Sequence, residues 1–176
     1  MSAWTRIQHI EVPSAQANIT FSSIPAATYT DLVLVVSARS ANASTDDALL
    51  FDLNGSTANQ SIRLLRGNGS TVTSASGSYL SMGYVSAANA TSSTFGNALL
   101  YIPNYAASQN KPMYADGVFE NNATTALQQM QALLWSNTAA INEIKLRLDS
   151  TSNFAQYSSA TLYGITKGSS GGVVVS

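Results

Sequence analysis

Short apolar runs separated by turn residues recur along the whole chain, the spacing that a β-sandwich or barrel imposes. Ile19 and Phe21 alternate with Thr20 and Ser22, so one face of that strand is buried. Pro25 ends the pairing, because it has no N–H to give a ladder, and Ala26 to Thr30 let the chain turn. Leu32, Val33, Leu34, Val35 and Val36 then form an unbroken, β-branched run, as in a strand buried on both faces or lying in the middle of a sandwich. Ile144, Leu146 and Leu148 alternate with Lys145, Arg147 and Asp149, which gives one core face and one wet face. Read this way, the chain predicts strands over residues 6–12, 18–23, 32–38, 48–53, 62–65, 79–85, 98–102, 113–120, 130–135, 141–148 and 161–166. They suffice for two facing antiparallel sheets in one domain spanning residues 1–167, followed by a flexible tail over 168–176.

Punctuation refines this layout. Asn54-Gly55 and Asn68-Gly69 accept positive φ and mark tight turns. Asp116-Gly117 interrupts the 113–120 run, as a bulge or as the turn of a hairpin. Residues 123–134 read two ways: Leu127, Met130 and Leu134 stand at helical spacing among good helix formers, whereas Trp135 and the Ser-Asn-Thr turn after it favour a strand from Met130 onward.

Composition narrows the function. Charged residues are only 10% of the 176, well under the usual quarter, and Ser, Thr and Asn take their place. A surface of hydroxyls and amides suits packing against other subunits, since desolvating them costs less than desolvating ions. The net charge is −1 and the eight Lys and Arg are scattered, so there is no basic stripe for nucleic acid. With no cysteine there is neither a disulfide framework nor a thiolate metal site. No signal-peptide pattern opens the chain, and no apolar run approaches the ~20 residues of a membrane helix. The expectation is therefore a protein made soluble, with no membrane and no nucleic-acid partner. Seven Asn-x-Ser/Thr sequons, beginning at Asn18, Asn42, Asn54, Asn59, Asn68, Asn89 and Asn122, follow from the abundance of those residues.

Catalytic signatures are thin. His9 is the only histidine, and a Ser-His-acid system would have to use it with Glu11 on the same strand face; the reading favoured here is an exposed strand residue. Gly168-Ser169-Ser170-Gly171-Gly172 matches G-x-S-x-G in letters, but too little chain follows for the elbow's helix. Asp46, Asp47 and Asp52 are the densest acids and lack the spacing of a calcium loop. The expectation is no catalytic residue, no cofactor and no metal: not an enzyme. Tyr79, Tyr84, Tyr101 and Tyr105, with Tyr114, are glycan-stacking candidates, against their ordinary use in strands and interfaces. Trp4 ahead of the first strand and Val173, Val174 and Val175 on their glycine tether are the subunit-interface candidates. Few charges guard the sandwich edges, so a homo-oligomer is expected, a trimer in preference.

The segment 18–39 (NITFSSIPAATYTDLVLVVSAR), with 62–69 (IRLLRGNG), 133–148 (LLWSNTAAINEIKLRL) and 160–165 (ATLYGI), resembles a group of tailed-bacteriophage virion proteins built on a jelly-roll-like β-sandwich. The resemblance is one of pattern and runs through most of the chain. It implies an antiparallel sandwich of jelly-roll type and a structural role in the virion. Members serve as head decoration (cement) proteins or as fibre and receptor-binding domains. The sequence has no collagen-like or coiled-coil stalk, which favours decoration on the outer head, with the major capsid protein as partner and production in the host cytoplasm. The alternative is a fibre domain that binds host-surface glycan.

Overall fold

The computed structural model describes residues 4–122 and 125–166; the candidates Val173, Val174 and Val175, the glycine tether and the proposed domain end at residue 167 lie outside them. Among the described residues the chain forms twelve strands and no helix: β1 Trp4–Glu11, β2 Asn18–Phe21, β3 Asp31–Ala38, β4 Asp46–Leu53, β5 Gln60–Gly67, β6 Val72–Gly77, β7 Ser81–Ser86, β8 Gly96–Ile102, β9 Lys111–Glu120, β10 Ala126–Trp135, β11 Ile144–Leu148 and β12 Ser159–Ile165. They build two antiparallel sheets, a β-sandwich. The larger runs β1-β12-β3-β8-β9-β10-β5-β6 and the smaller β2-β11-β4-β7.

Both inner faces follow the alternation in the sequence. Leu32, Leu34 and Val36 of β3, Ala98, Leu100 and Ile102 of β8, and Leu133 and Trp135 of β10 meet Ile19, Phe21, Leu49, Phe51, Leu53, Ile144, Leu146 and Leu148 from the small sheet in one buried core. Burying side chains of this size stabilises by roughly 1.5–3 kcal/mol each before entropy is subtracted.

The turns carry positive φ where expected. Asn54 (φ 52°) and Gly55 (φ 67°) close the turn after β4, with the Ser56 N–H donating to Leu53 O at 3.0 Å. Asn68 and Gly69 (φ 85°) turn β5 into β6, and Asn68 Oδ1 accepts from the N–H groups of Ser70 and Thr71. One expectation needs correction, one open alternative is resolved and one strand was missed. Asp116-Gly117 is neither bulge nor hairpin: β9 pairs in unbroken register with β10 through both residues. Glycine is needed at 117 because a Cβ there would stand 2.9 Å from Met82 O of β7. Residues 126–135 are strand throughout, Leu127, Gln129, Gln131, Leu133 and Trp135 pointing inward, so helical spacing loses to sheet burial. And β6 (VTSASG), exposed along nearly its whole length, was not foreseen.

Candidate functional site

The two outer faces of the sandwich differ in kind. On the small sheet, Lys145 and Arg147 of β11 stand over Asp52 of β4, at 3.4 and 3.2 Å. The two cations are half-buried and cover the buried Asp52, so that face is charged, as the alternation of β11 required.

The large sheet is the opposite. Its registers align one row of side chains across all eight strands: His9, Thr161, Val35, Leu99, Asp116, Met130, Leu65 and Ser74. A flanking row holds Tyr163, Val33, Tyr101, Tyr114, Ala132 and Arg63. The other holds Ser37, Asn97, Val118, Gln128, Gly67 and Val72. All point away from the core, since their neighbours along each strand are the buried ones. Nine large apolar residues are exposed among those described, and seven of them lie on this face: Trp4, Val35, Leu65, Val72, Tyr114, Val118 and Met130. Inward of the β1 edge, the three rows contain two charges, Asp116 and Arg63. Single exposed apolar residues are ordinary on a protein surface, but a contiguous field of them marks a contact surface.

Two grooves run over this face. One, of about 810 Å³, is bounded by Leu65, Met130, Tyr114, Ser74 and the charges Arg63 and Asp116. The other, of about 720 Å³, is bounded by Val35, Leu99, Val118 and Gln128. Tyr101 and Tyr114 sit side by side at the rim, ring centroids 5.5 Å apart and planes tilted by 39°. Asp31 accepts from the Tyr101 hydroxyl at 2.8 Å and from Asn104 N–H at 2.9 Å, fixing that ring. The bond to Asp31, with some burial, raises the Tyr101 pKa above its usual value, so the hydroxyl keeps its proton at any physiological pH.

The tyrosine candidates do not share a platform. Tyr105 is fully buried and its hydroxyl donates to Pro25 O, so it is a core residue and not a stacking surface. Tyr84 lies against Phe119 at 5.7 Å with the Arg66 guanidinium 5.0 Å over both rings. Burial raises its pKa, and Arg66 opposes the rise. Tyr79 is exposed in the loop before β7, its ring covering Gly77. Of the tyrosine candidates, only the half-buried Tyr101 and the exposed Tyr114 have an aromatic neighbour on the large face. Trp4 is on that face too, 5.9 Å from Tyr163.

The remaining polar candidates are separated. His9 Nδ1 lies 2.7 Å from Thr161 Oγ1 on the exposed side of β1. Asp46 pairs with Arg66 at 3.6 Å. Asp47 is buried, and its carboxylate accepts from Ser40 Oγ at 2.7 Å and from the hydroxyl and N–H of Ser150. Asp52 pairs with Lys145 and Arg147. The three acids thus serve three separate sets of partners, and no group of three His, Cys, Asp or Glu that could hold a metal ion stands together among the described residues.

Two cations that sequence reasoning passed over are structural locks. Lys111 is fully buried; its ammonium donates to the carbonyls of Ala107 at 2.8 Å, Gln109 at 2.5 Å and Asn137 at 3.4 Å. Burial lowers its pKa. Arg39 donates to four carbonyls, of Ala88, Ala90, Thr91 and Thr94, and so holds the loop between β7 and β8. A lysine or arginine beside loop carbonyls leaves no periodic signal in a sequence. No protein-family model, curated protein or solved structure matches the chain.

Proposed function

We propose that the protein is a structural component of a tailed-phage virion, a head decoration protein that attaches through the outer face of its eight-stranded sheet and bridges neighbouring capsomers. The observation that carries this reading is the gathering of seven of nine exposed large apolar residues on that one face, while the opposite face is covered by the Lys145–Asp52–Arg147 ion pairs. A face of this kind loses little on desolvation and gains about 25 cal/mol for each Å² of apolar surface covered. The role asks for no catalysis, and His9, hydrogen-bonded to a threonine at the wet edge, needs none.

The strand order supports the jelly-roll likeness. β2-β11-β4-β7 in one sheet and β3-β8 with β5-β6 in the other are the neighbours that two interlocked Greek keys would give. On this reading the β9–β10 hairpin is inserted between β8 and β5, and β1 and β12 widen the β3 edge. The β9–β10 hairpin supplies Tyr114, Asp116, Val118 and Met130, the middle of the apolar face.

The test uses purified heads with and without the protein. Heads carrying it are expected to withstand heat and low salt better than bare heads; equal resistance would defeat the cement role. A second reading, a glycan-binding fibre domain, is favoured by the Tyr101–Tyr114 pair beside a groove with both Arg63 and Asp116. It predicts labelling of host cells, lost on Tyr114→Ala, and no effect on heads.

A further inference from the structure

The two edges of the large sheet are unlike. At one edge β1 carries Arg6, His9 and Glu11, its register shifts between Arg6 and Gln8, and Pro13 follows it closely. Charge, irregular pairing and proline are the devices that stop an edge from recruiting another strand. At the other edge β6 reads Val72-Thr73-Ser74-Ala75-Ser76-Gly77, regularly paired to β5 on one side and, among the described residues, open on the other. It has no charge, no proline and no bulge, and its five residues from Val72 to Ser76 are exposed. Half its backbone N–H and C=O groups are thus presented to whatever extended strand comes alongside.

We infer that β6 pairs antiparallel with β6 of a second copy across a two-fold axis, joining two eight-stranded sheets into one. Identity of the occupant follows from self-complementarity. A two-fold perpendicular to the sheet keeps outer faces on the same side, so residues of like face must stand opposite each other. With Ser74 on the axis, Ser74 faces Ser74, Val72 faces Ser76 and Thr73 faces Ala75. Every pair is small enough for ladder spacing, no like charges meet, and Val72, now 75% exposed, gains a cover. A three-fold ring closed through sheet edges would instead need β6 of one copy to meet β1 of the next, where the charges and the irregular register oppose it. For edge pairing, the two-fold therefore replaces the trimer expected from the sequence. The pairing is independent of where the protein attaches, and it would double the width of the apolar face. A six-residue ladder is small beside the ~1,200 Å² of a stable interface, so the pair should form at high local concentration.

The chain has no cysteine, which makes single-cysteine cross-linking decisive. Opposed residues of an antiparallel ladder have Cα atoms within disulfide range. On mild oxidation of the concentrated full-length protein, Ser74→Cys is expected to convert to covalent dimer, while His9→Cys, also exposed but on β1, stays largely monomeric. Ser74→Lys should abolish the concentration-dependent dimer in sedimentation with an unchanged circular dichroism spectrum. Truncation after Lys167 should leave the Ser74→Cys dimer intact. Cross-linking of Ser74→Cys no better than of His9→Cys would overturn the pairing. So would loss of the dimer on truncation, which would make the C-terminal tail, and not a second β6, the occupant of this edge.

Discussion

Substituting Lys111 by Met is expected to cost about 2–4 kcal/mol of folding stability, although the change is from a charged to an apolar residue at a fully buried site. The stem can still pack, but the carbonyls of Ala107, Gln109 and Asn137 lose their common donor. A buried acceptor left without a partner costs its desolvation in full. The loss should be read by denaturant unfolding of both proteins over a range of pH. Burial depresses the folded-state pKa of Lys111 below the ordinary lysine value. Between that lowered value and the unfolded one, the unfolded chain holds more protons, so this group makes the wild type more stable as pH rises. Below the lowered value both states are protonated and its contribution is flat. The deficit of Lys111→Met should therefore widen as the pH rises from the lowered value toward the ordinary lysine value. A deficit under about 1 kcal/mol would mean that the ammonium is not what ties those turns together.

Replacing Leu65 and Met130 together by glutamine is expected to weaken attachment to heads by roughly a hundredfold or more, while unfolding stability changes little. These two residues stand opposite each other on β5 and β10 and are 52% and 59% exposed, so the isolated fold gains little from them. At an interface the exposed half of each side chain would contribute about 1 kcal/mol, an unpartnered amide in its place costs about as much again, and about 1.4 kcal/mol corresponds to tenfold in affinity. Glutamine keeps the length and adds no charge, so repulsion does not enter. Competition between labelled wild type and variant for bare heads gives the ratio. Equal occupancy, with both proteins folded, would move the attachment surface elsewhere.

What could be read from the chain and what could not divide along a physical line. Strands with one buried and one wet face announced themselves: β11 through Ile144, Leu146 and Leu148, β2 through Ile19 and Phe21. The run 32–36, expected to be buried on both faces or central, is the third strand of the large sheet, with Val33 covered and Val35 exposed. β6 was invisible because an edge strand that buries neither face needs no apolar period. The strand β10 was ambiguous because two of its inward positions are Gln129 and Gln131, buried amides that mimic a polar face. The apolar outer face could not be read at all. Val35, Leu99, Tyr114, Val118, Met130 and Leu65 come from five strands, and only the pairing registers bring them together. Likewise the tyrosine set fell apart because sequence spacing cannot distinguish Tyr105, sunk in the core, from Tyr114 on the surface.

The most direct measurement is the position and orientation of the protein in a density map of the intact virion. The account predicts density on the outer surface of the head, with the eight-stranded sheet laid on the capsid and Met130, Leu65 and Tyr114 at the contact. The small sheet, with Lys145, Asp52 and Arg147, should face the solvent. Density confined to tail fibres, or a head-bound protein resting on its small sheet, would contradict it.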